Sequence, residues 1–158
     1  MPEQIVISSD SHVFEPPDLW TERIEPKFRD RAPQMKRVDG RDNLYVEGDQ
    51  FVAGIGLISG AGLRFETPEQ ISHEGLFENV HVGGYEPAQH IRDMKIDGVA
   101  GEVLYPSQGL FFYKIKNSEL FSAICRAYND WLVEFCSTDP QRLKGIAMIN
   151  LDDVQDGI

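Results

Sequence analysis

Three residues in the segment SSDSHVFEPPDLW, positions 8 to 20, have the types that metal and acid–base chemistry needs: Asp10, His12 and Glu15. On an extended backbone, side chains i and i+2 point to the same side. Asp10 and His12 are therefore expected to project together, on the side also faced by Val6 and Ser8. A carboxylate oxygen beside a neutral imidazole nitrogen makes half of a divalent-cation site, suited to zinc, manganese or iron. A plainer reading stands beside it. An Asp-Ser pair after a strand makes an Asx-turn, with the histidine as a hydrogen-bonding neighbour. Glu15, before two prolines, is open to three roles: supporting a ligand, contacting substrate, or capping the next helical turn.

The elements that must carry these residues follow from hydrophobic pattern and turn chemistry. Gln4–Ser9 reads as a first strand that stops at the turn formers Asp10 and Ser11. Pro17 suits the first position of a short helical turn over Asp18–Ile24. From residue 25 to 86 the pattern is poor. Met35–Val38 and Asn43–Val46 flank Asp39-Gly40-Arg41-Asp42 as a hairpin, and Phe51–Leu63 extends it or forms a glycine-rich loop. So long an irregular stretch is expected to be an insertion or a lid over a site. Regular order resumes with a helix over Pro87–Ile96, its apolar face made by Ala88, Ile91 and Met94, and a strand over Val99–Leu104. A long helix follows, capped by Asn117 or Ser118 and stopped by Pro140. Its apolar residues, Leu120, Phe121, Ile124, Tyr128, Trp131, Leu132 and Phe135, keep the 3.6 period. Leu143–Asn150 is the third strand. Alternation of this kind predicts an α/β fold with a parallel sheet, and the truncated last crossover predicts the N-terminal part of a longer domain. The strand ends, where Asp10 and His12 lie, would form the mouth of such a fold.

Composition narrows the partners. The 158 residues carry 15 Lys and Arg against 26 Asp and Glu, a net charge of −11. That sign argues against nucleic acid or an anionic membrane as partner. Phe51–Leu63, 13 residues with four glycines, is too short to cross a bilayer. No basic and apolar leader opens the chain. Cys125 and Cys136 fall eleven apart in one helix, roughly 16 Å at 1.5 Å per residue, too far to pair. Free thiols predict a cytoplasmic protein.

Taken together, Asp10-x-His12-x-x-Glu15-Pro16 with Asp18-Leu19-Trp20 resembles the start of the amidohydrolase-related family and its aminocarboxymuconate-semialdehyde decarboxylase-like members. Further matches are Arg92-Asp93-Met94-x-x-Asp97-Gly98-Val99 and Val103-Leu104-Tyr105-Pro106-Ser107. Later ones are Tyr128-Asn129-Asp130-Trp131-Leu132 and Asp139-Pro140-x-Arg142-Leu143-Lys144-Gly145. The resemblance covers most of the chain outside residues 25–86. It implies that residues 1–158 are the N-terminal portion of a metal-dependent (β/α)8 TIM barrel, with an irregular, β-hairpin insertion after the first strand. The implied activity is hydrolysis of a small aromatic or carboxylated molecule by metal-activated water, with non-oxidative decarboxylation as the alternative. The implied cofactor is a divalent metal, zinc first, held by Asp10 and His12. Asp10 departs from the His-x-His form that many relatives have. The implied remaining histidine ligands and a late aspartate base come from beyond residue 158, so this chain alone is expected to bind metal weakly and to be inactive. Glu15, Tyr105 and Ser107 are the candidate substrate contacts, with Asn150 a weaker one.

Other features compete. Gly54-x-Gly56-x-x-x-Gly60 misses the dinucleotide fingerprint by a residue. His90 and Asp93 share a helix face but lie opposite the apolar positions, which predicts solvated side chains. His73 and His81 have no assigned place, and the aromatic stripe Phe121, Tyr128, Trp131 and Phe135 reads as core. Two rival functions remain: a metal-free, flavodoxin-like binding domain, and a non-catalytic fragment whose exposed helices drive assembly into a homo-oligomer.

Overall fold

The structure is a computed structural model that describes residues 5–60, 71–72 and 74–157. His73 lies outside the described residues. Strand β1 (Val6–His12) pairs in parallel with β5 (Val99–Tyr105), which pairs in parallel with β6 (Leu143–Gly145). Between them run helix α1 (Leu19–Arg23), a separate antiparallel sheet of β2 (Gln34–Val38), β3 (Arg41–Val46) and β4 (Gln50–Gly54), and helix α2 (Pro87–Ile96). Helix α3 (Ser118–Ser137) connects β5 to β6. Sheet order follows chain order, β1-β5-β6, without the reversal that places a ligand in a flavodoxin-like sheet. Among the described residues the outer edges of β1 and β6 have no partner strand. Ile5 and Ile7 stay 74% and 66% exposed there.

The core lies between α3, α1 and the parallel sheet. Trp20, Phe112, Leu104, Leu120, Ile124 and Tyr128 are fully buried in it. Helix α3 starts where a cap predicts: the Asn117 side chain accepts the Leu120 N–H at 2.9 Å. At its far end it meets β6 so closely that a Cβ on Gly145 would collide with Leu132. The antiparallel sheet turns at Asp39-Gly40, both with positive φ, the two-residue turn that matches strand twist. Phe51 belongs to β4, so the hairpin becomes a three-stranded meander. Asp42, pinned by Arg37 at 2.8 Å, also accepts the Phe77 N–H, and both interactions hold its carboxyl below the usual range.

Two strand ends and one helix face depart from expectation. The first strand does not stop at Asp10-Ser11, because Ser11 and His12 find partners in Leu104 and Tyr105. The third strand ends at Gly145 rather than Asn150. There the extended chain is satisfied by a side chain: Asn129 Oδ1 accepts the Met148 N–H and Asn129 Nδ2 donates to the Met148 carbonyl, both at 2.8 Å. Replacing Asn129 with Ala leaves both groups of a buried residue without partners, and urea titration is expected to show a loss of about 2 kcal/mol. On α2 the buried face is rotated: Met94 is buried and Ile91 partly so, while Ala88 is exposed and His90 turns inward. The inward turn follows from a partner on β5, described below.

Candidate functional site

The tip of β1 carries a bulge. Ser8 pairs with Glu102 and Ser11 with Leu104, so three steps on β1 match two on β5. Ser8 and Ser11 consequently share a face, with Ser11 Oγ donating to Ser8 Oγ at 2.8 Å. The expectation that Ser8 shares a side with Asp10 and His12 is corrected by this shift of phase. Beyond the bulge, His12 shares the face of Tyr105, their rings 5.9 Å apart. Asp10 and His12 do come together: His12 Nε2 lies 3.5 Å from Asp10 Oδ1. The pair stays open to solvent.

The other ring nitrogen fixes the imidazole. His12 Nδ1 is 2.9 Å from the Pro106 carbonyl. A carbonyl only accepts, so Nδ1 carries a proton, and Nε2 is the ring nitrogen turned toward Asp10. This is the arrangement of a ligating histidine, whose second nitrogen is held by a carbonyl or carboxylate. Bonds of about 2.0–2.1 Å to a tetrahedral ion set neighbouring donors about 3.3–3.4 Å apart, close to the separation found here. The donor pair fits two corners of a zinc-type shell. Among the described residues no group of three or more His, Cys, Asp or Glu side chains converges on one point.

The neighbouring candidates separate. Tyr105, half-buried, stands beside His12. Ser107 Oγ donates to the Val13 carbonyl at 2.7 Å and lies 3.5 Å from His12 Nδ1. Both sit at the mouth. Glu15 does not: it is fully buried, and its two oxygens accept the backbone N–H groups of Gln108 and Gly109, each at 2.9 Å. It is therefore no substrate contact and caps no turn of its own helix. Burial pushes its carboxyl upward against the pull of those amides. Asn150 is also structural, buried while donating to Ser118 and Ser122. Burial pushes the Cys125 thiol up to about 12, which leaves it inert as a nucleophile.

Two cavities flank His12 and Ser107. One of about 370 Å³ reaches along α2 and is walled by Phe14, Ile58, Ser59 and Val80, with His81, His90 and Glu102. The other, about 450 Å³, is apolar, between Ile58, Leu110 and Phe111. His90 and Asp93 are not solvated in the way their helix position predicts. His90 bonds Glu102 at 2.7 Å and the Gly83 carbonyl at 2.7 Å, while Asp93 bonds His81 at 2.7 Å. Glu102 escaped the pattern reading, although a carboxylate inside a strand is itself a sign that a buried cation faces it. Gly54 closes β4 and Gly56 enters a turn, and among the described residues no helix starts directly after them as a phosphate cradle would need. No helix among the described residues is long and apolar enough to cross a membrane.

No protein-family model matches the sequence, and no curated protein matches it. A match comes from a solved structure, that of an amidohydrolase from Mycobacterium avium subsp. paratuberculosis K-10. The TM-score is 0.70 at 20% sequence identity, over 97% of this chain and 44% of that one. The chain thus spans less than half the length of that neighbour. The likeness shows the fold: this chain's α/β arrangement is similar to part of that amidohydrolase structure.

Proposed function

We propose that the chain forms the opening part of a (β/α)8 metal-dependent hydrolase site that acts on a small aromatic or carboxylated molecule. The observation that carries this reading is the His12 ring, its Nδ1 bonded to the Pro106 carbonyl and its Nε2 3.5 Å from Asp10 Oδ1. Zinc is the first candidate for the ion, with manganese or iron as alternatives. A divalent ion between the two donors would polarise a carbonyl or carboxylate oxygen and lower the pKa of water. Around it, Ser107 and Tyr105, whose ring stands 5.9 Å from that of His12, would meet the substrate, and Ile58, Leu110 and Phe111 would offer an apolar wall. Ile58, Ser59, Val80 and His81 come from the 25–86 segment, which supports its role as a lid. The remaining ligands and the base are proposed to come from sequence outside these residues, since two protein donors fall short of the usual three.

Metal titration tests the assignment. Zn(II) or Co(II) is expected to bind the native chain, and Asp10→Ala or His12→Ala each to lower affinity by about 100-fold. Unchanged affinity in both variants refutes the ligand assignment. Hydrolysis and decarboxylation share this platform, and release of carbon dioxide from a carboxylated aromatic would mark the second.

A further inference from the structure

The two segments that shape the mouth are tied by a ladder of cross-links. The Val13 N–H donates to the Tyr105 carbonyl at 3.0 Å, His12 Nδ1–H to the Pro106 carbonyl at 2.9 Å, and Ser107 Oγ–H to the Val13 carbonyl at 2.7 Å. Gln108 Nε2 donates to the Glu15 carbonyl at 2.6 Å, and the Glu15 carboxylate takes the Gln108 and Gly109 amides. Glu15 is the one ionisable side chain in this ladder whose atoms are wholly buried. Only a carboxylate offers two acceptors to two successive N–H groups; an amide offers one. The fit is close. A Cβ on Gly109 would meet Met148 Sδ, the Pro106 Cβ at 3.0 Å and Glu15 Oε1 at 3.3 Å, so the 106–109 turn cannot drift while this packing holds.

We propose that Glu15 is a positioning residue: by holding the Gln108 and Gly109 amides it sets the Pro106 carbonyl, and through that carbonyl it keeps His12 in the Nδ1–H tautomer with Nε2 free beside Asp10. The proposal rests on the metal reading only in what the free Nε2 is for. The position of the ring proton is set by the bond the other nitrogen makes. Loss of the Pro106 contact would release the ring to the Nε2–H form and remove the lone pair that a cation needs.

The test is nitrogen NMR of histidine in the metal-free 158-residue chain, above the pH at which imidazoles are neutral. It is paired with Co(II) titration of the same samples. The native chain is expected to show His12 with Nδ1 protonated. Glu15→Gln is expected to move His12 toward the Nε2–H form and to weaken Co(II) binding by about tenfold. Leu143→Ala, buried in the core away from the ladder, is expected to lower stability without moving the His12 tautomer. If Glu15→Gln does not fold, Glu15→Asp takes its place, with a smaller shift in the same direction. His12 in the Nε2–H form in the native chain, or an unchanged tautomer in a folded Glu15 variant, overturns the proposal. A shifted tautomer with no Co(II) binding by any sample upholds the role of Glu15 and overturns the metal reading.

Discussion

Replacing Trp20 with Ala is expected to cost about 3–5 kcal/mol of unfolding free energy, measured by urea titration with Trp131 as the fluorescent reporter. Helix α1 is five residues long, far below the length at which a helix stands by itself, so its place depends on what Trp20 buries. The indole is fully buried, edge-on to Phe112 at 5.2 Å and stacked with Tyr128 at 6.4 Å. It thereby joins the segment that follows the end of β1 to α3. Thermal unfolding should fall by about 10 °C, at about 2–4 °C per kcal/mol for a domain of this size. Trp20→Phe should cost much less, for a specific reason. Among the described residues Trp20 Nε1 is buried with no hydrogen-bond partner, and removing an unpaired buried donor offsets part of the lost packing. A Trp20→Ala loss below about 1 kcal/mol would show that this contact does not anchor the core.

The parts of this fold that were legible before the structure are those decided by neighbours in sequence. Asn117, the 3.6-period apolar series and Pro140 define α3 almost to the residue, because a cap, a face and a stop act within a turn or two. Asp39-Gly40 defines the hairpin for the same reason. The illegible parts depend on partners far along the chain. The β1 bulge exists only in the pairing of β1 with β5, and it reverses which residues share a face with Ser8. The early end of β6 depends on Asn129, whose side chain stands in for a strand. Of the site, the Asp10–His12 pairing was legible from spacing: Asp10 lies within the bulge, yet its carboxylate still comes to 3.5 Å from the His12 ring. Glu15 was not, because its oxygens are claimed by amides 93 and 94 residues away. A motif can name a residue without saying what it touches.

The same long-range logic governs His90, and it predicts a pH-dependent stability. His90 and Glu102 side chains are 12% and 11% exposed, so their 2.7 Å contact is made largely out of water. Burial alone would lower the imidazole pKa, but Glu102 and the Gly83 carbonyl outweigh it and the net shift is upward, with Asp93 adding in the same sense. Both ring nitrogens then donate, one to Gly83 and one to Glu102, which requires the charged form. A histidine whose folded pKa lies above its unfolded value of about 6.5 gives its full stabilisation below that pH and loses it as pH rises through the folded value. Above that point the Nε2 lone pair faces the Glu102 carboxylate, and attraction is replaced by repulsion. His90→Ala is therefore expected to cost about 3 kcal/mol at pH 6, mostly from leaving Glu102 buried and unpaired, and clearly less at pH 9. Phe135, packed edge-on against the imidazole at 5.5 Å, supplies the part of that loss that does not titrate. A cycle through Glu102→Leu and the double variant separates the two contributions, since its coupling energy should fall between pH 6 and pH 9 while the packing loss stays constant. A coupling energy that does not change across that range would show that the pair is not ionic, and that α2 is held to β5 by shape alone.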